Sequence, residues 1–235
     1  MAMIVSACSS GSGDEGADEP GPDEILADAA TAMSNVESAS FTIEQSGATV
    51  FIDEDQFAFQ MADGRFASPS SAEAVITVDA LGFTTQVGAI AIDEDLWFTN
   101  PLTGEWTEAP ESFTFDLAAV FDREEGFPAL LREATGASEL IDDSQASANE
   151  DQNEDGDDGR FHLRTTVAAS RVAVLTSRLV AEESEVDLWI DGDSKRVVEV
   201  QFDIEIDEAV SSWRMTVGDY DAEVTISPPE LGSEG

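Results

Sequence analysis

Strict alternation of apolar and polar residues dominates the last third of the chain. Val186, Leu188 and Ile190 alternate with Glu185, Asp187 and Trp189. After Asp191-Gly192-Asp193-Ser194, the apolar set Val198, Val200, Phe202, Ile204 and Ile206 alternates with Glu199, Gln201, Asp203, Glu205 and Asp207. Successive side chains on a strand point to opposite faces, so a period of two predicts half-buried antiparallel strands, and the Asp-Gly connection suits a tight hairpin. Trp213, Met215 and Val217 predict the next strand, and Val224 with Ile226 a last one before Pro228-Pro229. Shorter alternating runs fill the first half: Phe41 with Ile43, Val50 with Ile52, Phe57 with Phe59 and Met61, Ile76 with Val78 and Ala80, then 83–92 and Leu96-Trp97-Phe98. Breaks at Asp53-Glu54-Asp55, Asp63-Gly64 and Asp93-Glu94-Asp95 place turns between them, as in a meander. Phe161–Val167 is a further strand candidate.

Helical spacing interrupts this pattern. Ile25, Leu26, Ala29, Met33 and Val36 form one stripe behind Pro22-Asp23, predicting a helix over Pro22–Val36. Asp116 is placed to cap a helical piece ending at Phe121, and Gly126-Phe127-Pro128 opens a second over Ala129–Ala134, closed by Gly136. Val172, Leu175 and Leu179 predict another within Ala168–Leu179. The fold class is therefore α+β: a single domain with a large antiparallel sheet of about ten strands and about three helices against one face. Burying one apolar side chain contributes roughly 1.5–3 kcal/mol, so each strand's apolar face must be covered. Three short helices leave part of such a sheet bare. The remainder must curl on itself, meet a partner or enclose an apolar ligand. Residues expected to line that wall are Phe57, Phe59, Ile76, Val78, Val198, Val200, Phe202, Ile204, Trp213 and Met215, which are core first and cavity lining only where the helices leave room.

Composition narrows the function classes. Among 235 residues, 42% hydrophobic content with 13 Phe and 4 Trp suffices for a packed core. Asp and Glu total 51 against 10 Lys and Arg, a formal charge of −41. Such a surface repels polyphosphates, which excludes nucleic acid as a partner, and it offers no polybasic patch for anionic lipid. Lys195 is the only lysine. This suits a saline habitat, where salt screens self-repulsion, and equally a family whose acidic surface serves solubility. One Cys excludes an internal disulfide framework and a thiolate zinc cluster, and one His excludes a multi-His metal site.

That single cysteine stands in a suggestive place. Val5-Ser6-Ala7-Cys8 resembles the bacterial lipobox, in which an aliphatic and two small residues precede the cysteine that is lipidated. Residues 9–24 comprise three Ser, four Gly, two Pro, six acids and one Ala, a composition that reads as a disordered acidic tether. Residues 1–8 are read as the remnant of a signal peptide; the apolar stretch is too short for a full one, so the native protein is expected to begin upstream. The tail 230–235 is expected to be disordered. No run approaches the length of a transmembrane helix, so membrane attachment would be through lipid alone.

Candidate chemistry elsewhere is sparse. Residues 142–159 hold eight acids in eighteen positions and read as an exposed loop. Within it Asp151, Asn153 and Asp155 before Gly156 match the first half of a calcium loop, but the twelfth position is His162 rather than a carboxylate, so no metal site is assigned. There is no Gly-x-Ser-x-Gly elbow and no phosphate-cradling glycine loop, and His162 falls on the polar face of its strand. Without nucleophile, base and orienter together, neither enzymatic activity nor a cofactor is expected.

Five segments in order resemble a known family, the actinobacterial lipoproteins typified by LppX, LprA, LprF and LprG. They are Ile25–Ile43, Leu96–Trp106, Phe115–Leu131, Val186–Val198 and Tyr220–Pro228. The resemblance implies one lipid-binding domain over residues 25–229, with a fold similar to the periplasmic lipoprotein carriers: a curved, half-open antiparallel barrel with helices closing its mouth. It implies a hydrophobic cavity for acyl chains, transport of lipids or lipoglycans across the envelope, and no catalytic residue. The partners implied are a lipid or glycolipid ligand, the extracytoplasmic face of the cell membrane through an anchor on Cys8, and an envelope transporter. Basic residues crowd the final third (Arg160, Arg164, Arg171, Arg178, Lys195, Arg196, Arg214), where they would meet either a headgroup anion or neighbouring carboxylates. The alternative function is a structural or sensory envelope lipoprotein whose interior is filled by its own side chains.

Overall fold

The computed structural model describes residues 20–52, 57–80, 82–101, 103–109, 115–134, 138–141 and 159–231. Cys8, the tether up to residue 19, the calcium candidates Asp151, Asn153 and Asp155, and Gly136 lie outside them. Helix α1 (Pro22–Ser34) leads into β1 (Ser38–Gly47), β2 (Ala58–Ala67), β3 (Ser71–Ala80), β4 (Phe83–Ile92), β5 (Asp95–Thr99) and β6 (Trp106–Glu108). A 3-10 turn at Ala119–Phe121 and α2 (Phe127–Ala134) follow, then β7 (Ser138–Ile141), β8 (Arg160–Val167), α3 (Ala169–Leu175), β9 (Ser184–Asp191), β10 (Val197–Ile206) and β11 (Ala209–Gly218).

Among the described residues these strands form one antiparallel sheet in the order β6-β5-β4-β3-β2-β1-β11-β10-β9-β8-β7. Sequence neighbours pair throughout except at two places. β1 and β11 pair at the centre, from Ser40↔Gly218 to Gly47↔Ser211. β6 and β7 are instead the two outer edges, so the barrel is not closed, and the connection between them carries the 3-10 turn and α2. The α+β class and the three helices are as the alternation and helical stripes predict. Helix α1 packs on α2 and touches β7, while α2 touches β8 and the 3-10 turn.

Several local expectations need correction. Register shifts at Phe59/Met61 in β2 and at Val197/Glu199 in β10 insert a bulge residue and reverse which side chains point inward. Met61 therefore joins Glu44 and Thr77 on the polar face, and Ala62 and Phe66 take the inner positions. In β10 the buried residue is Val197, and Val198 is only half-buried. Asp63-Gly64 is not a turn but lies within β2, paired to β1 and β3, and the glycine is there because a Cβ at 64 would meet Phe41 Cζ at 2.4 Å. Val50 and Ile52 belong to an irregular connection with one bridge, Phe51↔Ala58. Val224 and Ile226 form no strand. The chain turns away at Asp219, and the strands nearest to it, β1 and β11, already pair on both sides.

The segment predicted to be helical up to Phe121 makes only the 3-10 turn, although Asp116 caps it as expected, its Oδ1 accepting from the N–H groups of Ala118 (3.1 Å) and Ala119 (3.0 Å). Gly126 then lets the backbone pass against that turn. A Cβ at this position would lie 2.3 Å from the Val120 carbonyl oxygen, an atom of backbone that cannot swing aside. Gly126→Ala should accordingly lower stability by roughly 1–3 kcal/mol and shift the urea midpoint without changing its slope. An unchanged midpoint would show that the turn and α2 are not fixed against each other.

Candidate functional site

The inner face of the sheet is the site to which the alternation points. Phe59, Ile76, Val78, Val200, Phe202, Ile204, Trp213 and Met215 are all buried there, while Phe57 and Val198 are half-buried. Phe59 stacks on Trp213 with ring centroids 5.6 Å apart and packs on Phe115 at 6.0 Å. Phe202, directly opposite Trp213 across β10 and β11, continues the stack at 6.2 Å. A second cluster joins Phe66 to Phe121 at 4.5 Å, with Phe41 and Phe127 around it. Phe115, Leu117 and Phe121 thus plug the interior from the segment between the edge strands. Their place in the wall is not legible in the sequence, since a short helical piece carries no signal of which surface it meets. Val186 and Leu188, also fully buried, were legible in the same alternation as β10.

At one end of the sheet β1 stops, β11 starts and the β8–β9 connection passes. There Ile52, Phe57, Leu179, Val180 and Ile206 pack half-buried against the core. Beyond them Phe51, Val210 and, at 78% exposure, Phe83 stand in solvent. These residues give this end of the sheet an apolar rim, while Val87, Phe161 and Tyr220 pack half-buried against the core elsewhere.

The opposite face of the sheet is different in kind. It bears a recess of about 960 Å³ lined by Glu44, Gln60, Arg164, Asp187, Gln201 and Arg214 among others. Its cations are engaged within the wall. Arg164 donates to both Asp187 carboxylate oxygens at 3.0 and 3.2 Å, and Arg214 likewise to Glu199 at 2.7 and 3.1 Å. Asp187 and Glu199 raise the pKa of their respective arginines. His162 Nε2 lies 2.7 Å from Asp187 Oδ1, and its ring stacks on Trp189 at 4.3 Å, so the lone histidine is held in this polar layer. Met61, Phe202 and Trp213 also line the recess, so it is mixed in character, with its arginines already paired to carboxylates of the same sheet.

Three further arginines of the final third are engaged in the same way. Arg171 pairs with Glu133 and holds that carboxyl below its usual range, Arg178 pairs with Glu125, and Arg196 with Asp221. Asp221 is also held low, chiefly by the Glu37 backbone N–H. Lys195 sits over the Phe161 ring at 5.1 Å. Neighbouring carboxylates are thus the partners of Arg164, Arg171, Arg178, Arg196 and Arg214 in the structure. Among the described residues no cluster of three His, Cys, Asp or Glu side chains is placed to hold a metal, and no helix is long and apolar enough to cross a membrane.

Comparison with known proteins agrees with this architecture. The family model of the LppX_LprAFG lipoproteins matches residues 21–226. The fold is similar to the crystal structure of LprF from Mycobacterium bovis, with a TM-score of 0.64 and 14% identity over 91% of this chain and 99% of that one. It is also similar to lipoprotein LppX from Mycobacterium tuberculosis, with a TM-score of 0.54 and 16% identity over 88% and 98% of the two chains. At these identities the structural likeness speaks to the fold alone. No curated protein matches the chain in sequence.

Proposed function

Since the chain belongs to the LppX_LprAFG lipoprotein family, a family of lipoproteins and not of enzymes, we propose that it binds the acyl chains of a lipid or lipoglycan in the interior of its open barrel and carries them across the cell envelope. In this reading it works at the extracytoplasmic face of the cell membrane, held there by acyl chains on Cys8, with an envelope transporter as a further partner. The observation that supports the reading is the apolar inner face of an unclosed sheet, with half-buried apolar side chains around it at the end where β1 stops and β11 starts. The covering elements are short: a three-residue turn, the eight-residue α2 and the seven-residue α3. They lie outside the strand ladder, so they can part from the sheet while its hydrogen bonds stay intact.

One observation favours a second reading. The Phe59–Trp213–Phe202 stack fills the wall that a guest would touch, as expected of a structural or sensory lipoprotein with a self-filled core. Native mass spectrometry of the purified full chain, with titration of a fluorescent fatty acid, separates the two. The carrier reading expects co-purifying lipid, saturable uptake and, on protein taken from native membranes, a diacylglyceryl group on Cys8. Clean protein without uptake would leave the self-filled reading standing.

A further inference from the structure

We infer that the berth of an acyl chain is the aromatic wall of Phe41, Phe59 and Phe66, that Phe115 and Phe121 stand in the chain's place there, and that a guest displaces their segment together with α2 and α3 as one body. The inference rests on the carrier reading and names the part of the interior it uses and what guards it.

The segment 115–121 behaves as a plug rather than as a structural element. Its one regular feature is the three-residue turn Ala119–Phe121. Yet Phe115, Leu117, Val120 and Phe121 are all buried. Toward the strands it presents rings: Phe121 stacks on Phe66 at 4.5 Å and meets Phe41 at 5.8 Å, and Phe115 meets Phe59 at 6.0 Å. Such contacts have no fixed direction, and their worth follows the apolar area covered. A hydrocarbon chain laid against the same rings recovers it.

The bonds that run the other way are directional and charged. Arg171 of α3 donates to both Glu133 carboxylate oxygens of α2, at 2.9 and 2.5 Å, and to the Glu124 and Glu125 carbonyls at 3.3 and 2.9 Å. Arg178 donates to Glu125 at 2.9 Å, and the Asp116 N–H donates to the Ser177 carbonyl at 3.4 Å. Charge-assisted, bidentate pairs of this kind hold geometry. The plug, α2 and residues 169–178 are thereby riveted together, and the seam that opens most readily lies between that body and the strands. The plug and α2 belong to the connection between the two unpaired sheet edges, β6 and β7, and α3 to the β8–β9 connection, so displacement breaks no strand pairing.

Titration of the full chain with the fluorescent fatty acid tests this by the sign of an effect. Phe121→Ala should lower the thermal midpoint yet bind about 10-fold more tightly, because the guest no longer has to displace a stacked ring. Phe121→Leu should show a smaller gain, and serves if the alanine variant does not fold. Leu26→Ala, a buried α1 position, should lower the midpoint without any gain. Uptake by the unaltered protein with no gain in the Phe121 variants, or with an equal gain in Leu26→Ala, would overturn the plug and leave the carrier reading untouched. Uptake by none of them would overturn both. Hydrogen exchange adds a lipid-free measurement: α2 and α3 should exchange through one opening of common free energy, which Arg171→Met splits in two. Separate openings in the unaltered protein would overturn the single body.

Discussion

Phe59→Ala should cost about 3–5 kcal/mol of stability, the range for deleting a large aromatic side chain from a packed interior. The side chain is 1% exposed and is gripped between Trp213 and Phe115. Collapse around the gap is restricted, because β2 is paired along both sides, to β1 and to β3. For a domain of this size the thermal midpoint should fall by roughly 10 °C, readable by circular dichroism. Phe59→Leu, which refills most of the volume, should recover much of the loss. If Phe59→Ala cost less than about 1 kcal/mol, the stack would not be a close-packed wall, and the contrast between the two functional readings would need redrawing.

How far the sequence spoke for this interior depends on the kind of signal. β9 and β11 were legible because uninterrupted alternation with one solvated face leaves little choice of register. In β10 the same pattern was one residue out of phase at its start, since a bulge at Val197/Glu199 is written in geometry rather than in residue type. The short edge strand Ser138–Ile141 was missed: four residues, Ser-Glu-Leu-Ile, hold too few repeats to define a period. Val224 and Ile226 alternate like a strand, yet a strand needs a vacant neighbour, and the centre of the sheet has none to offer. Most of the inner wall could be named in advance from the apolar halves of the strands.

Stability should rise steeply with salt, by roughly 10 °C or more in thermal midpoint between about 0.05 M and 1 M sodium chloride. Folding confines a net charge of −41 to one surface. At about 0.1 M salt charges interact over roughly 10 Å, and at 1 M over about 3 Å, so the repulsion is largely screened. Two opposing effects decide the sign. Salt also weakens attractive pairs such as Arg178–Glu125 and Arg65–Glu73, but exposed pairs are each worth about 0–1 kcal/mol and the ten basic residues limit their number. Repulsion among the surplus acids therefore wins. A midpoint that stayed flat or fell across a sodium chloride titration, with sucrose as the uncharged control, would mean that the ion pairs dominate.

The pairing of β1 with β11 has a consequence for how the molecule comes into being. The two strands at the middle of the finished sheet are the first and last to be synthesised, with Ser40 beside Gly218. A nascent chain delivered N-terminus first can assemble its early hairpins at once, but the exposed margin of β1 must wait for almost the entire polypeptide before its mate arrives. Until that seam zips shut, two half-sheets coexist without a shared interior, and it is during this interval that the molecule most needs shielding from its neighbours.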